Sequence, residues 1–190
     1  MKEREIDSQK EFLQPLLEPP REFLDGIQFN PNFKKSSHSL DNYCMKSKLP
    51  TTKDVGFYIN FCGEFLYPLM NFYKLETHEF NNGPIMGAMN EVLINSVEHG
   101  NKSDKGKEIL FGLWVGRNGI IFALRDEGDF FSRTSNKKLI ESRTIICSTR
   151  KKEQGGMGFK NLYKNSDKIY VSNEQNALFV AVSKEKFLKK

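Results

Sequence analysis

Two rhythms of apolar and polar positions run along this chain, and they predict different elements. Met86, Met89, Leu93 and Val97 recur three and four residues apart, the period of a helix that buries one face. Asn82-Gly83-Pro84 stands just before them, and proline suits a first helical turn because its fixed φ is already helical. Gly100 is expected to end this helix, where a left-handed terminal residue costs glycine least. An earlier helix is predicted over 54–73, with Tyr58, Cys62, Phe65, Leu69 and Phe72 at helical spacing and Pro68 kinking or dividing it.

The second rhythm is that of strands. Apolar runs from Glu108 to Val115 and from Gly119 to Arg125 are joined by Gly116-Arg117-Asn118-Gly119, which predicts an antiparallel hairpin. A first strand is expected from His38 to Lys48, and two last ones near Lys168 to Ser172 and Ala177 to Lys184. Between them a polar, basic stretch from Ser132 to Gln154 reads as a lid or a long loop, and a short helix follows from about Met157 to Asn165. Mixed helices and hairpins of this kind predict an α+β two-layer sandwich. Residues 1–37 carry Pro15, Pro19, Pro20 and Pro31 among scattered phenylalanines, with no long helical period. They read as an N-terminal extension that packs on its own domain or on a partner.

Composition narrows this picture a little. The 190 residues are about one domain's worth, and 38% hydrophobic with 28% charged residues is enough to bury a core. A net charge of +5 is too mild to imply nucleic acid without a clustered basic face. Three cysteines, Cys44, Cys62 and Cys147, lack the spacing of a zinc site or a disulfide framework, so a reducing cytoplasm is expected. The opening Met1-Lys-Glu-Arg-Glu-Ile-Asp leads into no apolar run that reads as a signal peptide or a membrane span.

Candidate chemistry gathers at three places. The helix after Pro84 carries Glu91, Asn95, Glu98 and His99 away from its apolar stripe. A carboxylate one turn before a carboxamide suits a phosphate site, the first accepting a proton from a nucleophile and the second holding a hard cation; a solvated polar face reads the same way. Arg125-Asp126-Glu127-Gly128-Asp129 follows an apolar strand and marks a tight turn at a sheet's end, as an ordinary loop also does. Gln154-Gly155-Gly156-Met157-Gly158-Phe159 opens a helix, where glycines let backbone N–H groups approach a phosphate or serve only a turn.

Taken together and in this order, the three elements resemble the nucleotide-binding boxes of the GHKL ATPase superfamily. Glu91-Val-Leu-Ile-Asn95-Ser-Val-Glu-His99-Gly100 is similar to the Glu-x-x-x-Asn-x-x-x-His-Gly form of bacterial anti-sigma factor serine/threonine kinases. The resemblance spans about 38–185 of a domain running over 38–190, and implies a mixed, mostly antiparallel sheet covered by helices on one face. It implies that Glu91 is a general base toward a Ser or Thr hydroxyl, that Asn95 holds Mg²⁺ on ATP, and that Asp126 accepts from the adenine amino group. Gly128 would leave room for the base, while Gly155, Gly156, Met157, Gly158 and Phe159 would bind the phosphates. His99 joins the nucleotide-binding set rather than serving as a phosphorylated histidine. Lid cations from Arg133 to Lys152 would neutralise the γ-phosphoryl group.

The implied partners are a sigma factor or a small antagonist protein, with a second copy of the chain in a homodimer and no membrane. The sequence departs from the pattern at Phe130, where a second glycine would fall, and at Asn176-Ala177, where Gly-Thr would stand near the adenine. These departures support an alternative, a nucleotide-sensing module that binds a partner without transfer chemistry. A nucleic-acid-associated protein using the basic lid and the tail Lys184 to Lys190 ranks last, because those residues are spread out.

Overall fold

The computed structural model describes residues 17–29, 43–51, 71, 74, 83–128, 146–147, 162–172 and 175–187. Helix α1 is Arg21–Gly26, strand β1 Tyr43–Pro50, helix α2 Pro84–Asn95 with a π-helical turn over Ser96–Gly100, and strands β2 and β3 Glu108–Gly116 and Gly119–Asp126. Strands β4, β5 and β6 are Ile146–Cys147, Lys168–Ser172 and Ala177–Ser183, and helix α3 is Lys184–Phe187. Residues 162–165 are also helical. The helix expected over 54–73 and the Gln154–Phe159 segment lie outside the described residues.

The six strands form one sheet in the order β1-β2-β3-β6-β5-β4. All described pairings are antiparallel, so the mixed sheet implied by the resemblance is not seen among them. The hairpin closes where its glycines were expected, with Gly116 opposite Gly119. Strand β4 falls inside the stretch read as a lid: Ile146 pairs with Ile169 and Cys147 with Lys168. The apolar Ile145-Ile146-Cys147 within that basic run is the strand signal, and the surrounding charges hid it.

Alternate residues of β2, β3 and β6 feed two separate cores. Phe111, Leu113, Val115, Ile120, Phe122, Leu124, Leu178, Val180 and Val182 pack with α2 on one face. That helix inserts Ile85, Ala88, Met89, Val92, Leu93 and Val97, so its buried stripe is broader than the one expected and Met86 lies at its margin. The opposite face of the sheet presents Trp114, Ile121, Ala123, Ala177, Phe179 and Ala181, and these are covered by Leu17, Phe23 and Ile27.

Helices therefore lie on both faces of the sheet rather than one, and residues 17–29 pack on this chain's own domain. Phe23 meets Tyr170 edge-on at 6.4 Å between ring centroids, and Lys168 Nζ stands 5.8 Å over the Phe23 ring. Backbone and side chain lock the segment at both ends. Gln175 accepts from the Glu18 N–H at 2.7 Å and donates to the Glu18 carbonyl at 2.9 Å, while the Asn118 N–H donates to the Ile27 carbonyl at 3.0 Å. At the other terminus β6 stops at Ser183 and the chain turns into α3, which buries Phe187 in the main core. Lys186, within the basic tail Lys184 to Lys190, donates to the Ser166 carbonyl and pairs with Asp167 at 3.8 Å.

Candidate functional site

Helix α2 begins as its sequence predicts, with Gly83 extended before it and Pro84 in its first turn. Its apolar stripe faces the sheet, and this places Glu91 and Asn95 one turn apart on a half-buried flank, with Asn95 Nδ2 donating to Glu91 Oε1 at 3.2 Å. The bond aligns the pair and engages the carboxamide nitrogen, so the carboxamide oxygen is the atom suited to a cation. Further round the helix Glu98 and His99 are exposed.

The end of the helix differs from the expectation. Instead of stopping at a left-handed Gly100, the chain widens into a π turn in which the Asn101 N–H donates to the Ser96 carbonyl at 2.8 Å. The left-handed residues come later, at Lys102 and Ser103. Gly100 is needed for space: a Cβ there would run into the Asp126 carboxylate. Gly128 has the same requirement from the other side, because a Cβ on it would overlap the Gly100 carbonyl. Two glycines thus let the helix end and the β3 end meet backbone to backbone.

Asp126 lies at this junction, 5% exposed. Burial drives its carboxyl up to about 6, against the lowering effect of the Gly128 N–H, which donates to Oδ1 at 3.0 Å, the Ser96 hydroxyl and the Lys107 charge. Burial prevails because desolvating a carboxylate costs more than these partial neutralisations return. Ser96 directly follows Asn95, so one peptide unit joins the Glu91–Asn95 pair to the buried carboxylate.

Sequence reasoning missed two members of this junction, Ser96 and Asn101. Asn101 is fully buried, and its side chain accepts from the Glu127 N–H at 2.8 Å and donates to the Glu108 carbonyl at 3.0 Å and to Thr51 Oγ1. The available signal was an asparagine just beyond a helix end, a residue type that ties up loose backbone groups.

Asn176 also reads differently in place. It adopts φ 47° in the turn before β6, the conformation a glycine would supply, and its amide donates to the Asp126 carbonyl at 3.4 Å. Ala177 belongs to the opposite core, so a hydroxyl at that position would lie on the far face of the sheet from Asp126. Across α2, a Cβ on Gly87 would strike the Asn165 side chain, which sets helical residues 162–165 against the same flank that carries Glu91.

Of the expected site residues, then, Asn95 bonds to Glu91 and Gly128 to Asp126, the two pairs being linked through Ser96, while His99 is exposed in the π turn. Gly155, Gly156, Met157, Gly158, Phe159 and Phe130 lie outside the described residues. Among the described residues no group of three or more His, Cys, Asp or Glu side chains converges as a metal cage, and no helix is long and apolar enough to cross a membrane. A scan against protein-family models finds none that matches the chain, and a search among curated proteins finds no match.

Proposed function

We infer that this protein binds ATP with Mg²⁺ in the manner of the anti-sigma factor kinases of the GHKL superfamily. The observation that carries the reading is the joining, through Ser96, of a helix-borne Glu91–Asn95 pair to a buried carboxylate at the end of β3. A carboxylate sunk beneath the surface recognises a neutral base edge better than a cation held in water, because its acceptor strength rises in a dry setting. Asn95 offers an oxygen ligand of the kind Mg²⁺ takes beside its waters and substrate phosphates.

In this reading Asp126 accepts from the adenine amino group, Asn95 positions the metal-bound phosphates, and Glu91 takes the proton of an incoming Ser or Thr hydroxyl. The hydroxyl oxygen bonds to the γ-phosphorus as the bond to the ADP oxygen breaks. The acceptor is an antagonist protein, the bound partner a sigma factor, and a homodimer the assembly.

The test is a calorimetric titration of the full chain with ATP and Mg²⁺. Saturable, Mg²⁺-dependent binding that is lost in both Asn95→Ala and Asp126→Ala is the expected result. No heat at millimolar nucleotide overturns the reading.

A further inference from the structure

We propose that Asn101 is the positioning residue of this site: it touches no ligand, and through Glu127 it sets the base-reading carboxylate of Asp126. The proposal rests on the nucleotide reading above. Glu127 is the link between Asp126 and Gly128, and each of its groups is tied down. Its N–H donates to Asn101 Oδ1 at 2.8 Å, its Oε1 accepts from the Glu108 N–H at 2.8 Å, and its carbonyl accepts from Lys107 Nζ at 3.3 Å.

The first of these bonds is the most buried of the three, made to the fully buried Asn101, which is itself held from three sides. Its N–H closes the π turn onto Ser96, and its Nδ2 reaches Thr51, just past β1, and the carbonyl of Glu108 at the start of β2. One side chain therefore references the 126–128 turn to the ends of β1 and β2 and to the helix end that supplies Ser96. Only a carboxamide of this length serves, since it must accept and donate at once: aspartate at this position lacks the donor, and alanine leaves the Glu127 N–H without its buried partner.

A small rotation of that turn redirects the Asp126 carboxylate while leaving the Glu91–Asn95 pair on its own helix undisturbed. Asn101 thus acts on base selectivity and not on phosphate binding. A site built to hydrogen-bond one group rejects an analogue lacking it only while its own polar atoms are held in place.

The experiment measures binding of Mg²⁺ complexes of ATP, GTP and inorganic tripolyphosphate to the full chain and to Asn101→Ala and Thr51→Val. The expected result for Asn101→Ala is a loss of about tenfold in the preference for ATP over GTP, with tripolyphosphate affinity within about twofold of the parent chain. Thr51→Val, which removes one acceptor and keeps shape, shifts the preference the same way by less. Should Asn101→Ala not fold by circular dichroism, Thr51→Val carries the comparison. Equal weakening of all three ligands, or an unchanged preference in folded protein, overturns the proposal and leaves the nucleotide reading standing. A parent chain that binds tripolyphosphate but shows no preference for ATP removes the basis of both.

Discussion

The two faces of the sheet are closed by very different means. On one face α2 lays down a regular stripe of Ile85, Ala88, Met89, Val92, Leu93 and Val97, and its C-terminal end supplies the candidate site. On the other, a six-residue helix and its flanks bury Leu17, Phe23 and Ile27 on the sheet, with Leu24 and Phe29 partly buried beside them, and hydrogen bonds to Asn118 and Gln175 fasten the segment. A periodic helix can be anchored along its length by burial, whereas a short arm buries too little and must be pinned at its ends. Among the described residues the candidate site divides the same way: the Glu91–Asn95 pair and Asp126 stand on the side of the sheet that α2 covers.

The largest test of this contrast is to empty each core in turn. Phe122→Ala, on the α2 face, is expected to lower unfolding free energy by about 3–5 kcal/mol in urea titration, because a rigid helix cannot collapse into the cavity. Phe23→Ala, on the arm face, should cost about 3 kcal/mol, since a short segment relaxes more easily. The single tryptophan, Trp114, lies on the arm face at 6.4 Å from Phe179, so its emission should shift to the red in Phe23→Ala and hold in Phe122→Ala variants that remain folded. Equal shifts in the two would show that the layers are not independent.

The next effect is electrostatic and belongs to the α2 face alone. Burial holds the Asp126 carboxyl at about 6 in the folded chain against an ordinary 3.8, so the folded state binds its proton more tightly than the unfolded one. The resulting stabilisation is present at low pH and is lost as pH rises from about 4 through 6. Asp126→Asn should therefore be more stable than the parent chain at pH 7.5 by about 2 kcal/mol and lose that advantage by pH 4, read from urea midpoints at the two values. A difference independent of pH would mean that the carboxyl is not desolvated.

The smallest expected effect returns to the arm. Gln175→Ala removes both hydrogen bonds to Glu18 at an exposed position and should cost about 0.5–1.5 kcal/mol, with faster amide exchange at Glu18 and no change at Asn101.

Much of the α2 face was legible in the sequence. The three- and four-residue spacing of Met89, Leu93 and Val97, the proline at the helix start, and the glycine-bounded hairpin all describe local preferences that the tertiary structure keeps. The arm face was legible only indirectly. Phe23 and its neighbours have no period, yet Ile109–Val115 and Ile120–Leu124 are apolar at nearly every position, a pattern that belongs to strands buried on both sides and so calls for a second layer. The short strand at Ile146–Cys147, within the stretch read as a lid or a long loop, was not legible because three apolar residues among many charges are too few to outweigh them. Within the site, Glu91, Asn95 and Asp126 stood out as residue types at a spacing, while Ser96 and Asn101 did not, since a serine and an asparagine near a helix end are ordinary capping residues until something is packed against them.

The sequence by itself determined the helix that carries the Glu91–Asn95 pair, the hairpin that delivers Asp126 and the α+β class of the fold, because periodicity and turn chemistry act over a few residues. Only the tertiary structure decided that Gly100 is a point of close approach and not a left-handed cap, that Asn101 binds three strand ends, and that residues 17–29 close the second face. Each of these depends on which surfaces meet across long separations in the chain, and that is set by the burial of both sheet faces together rather than by any local preference.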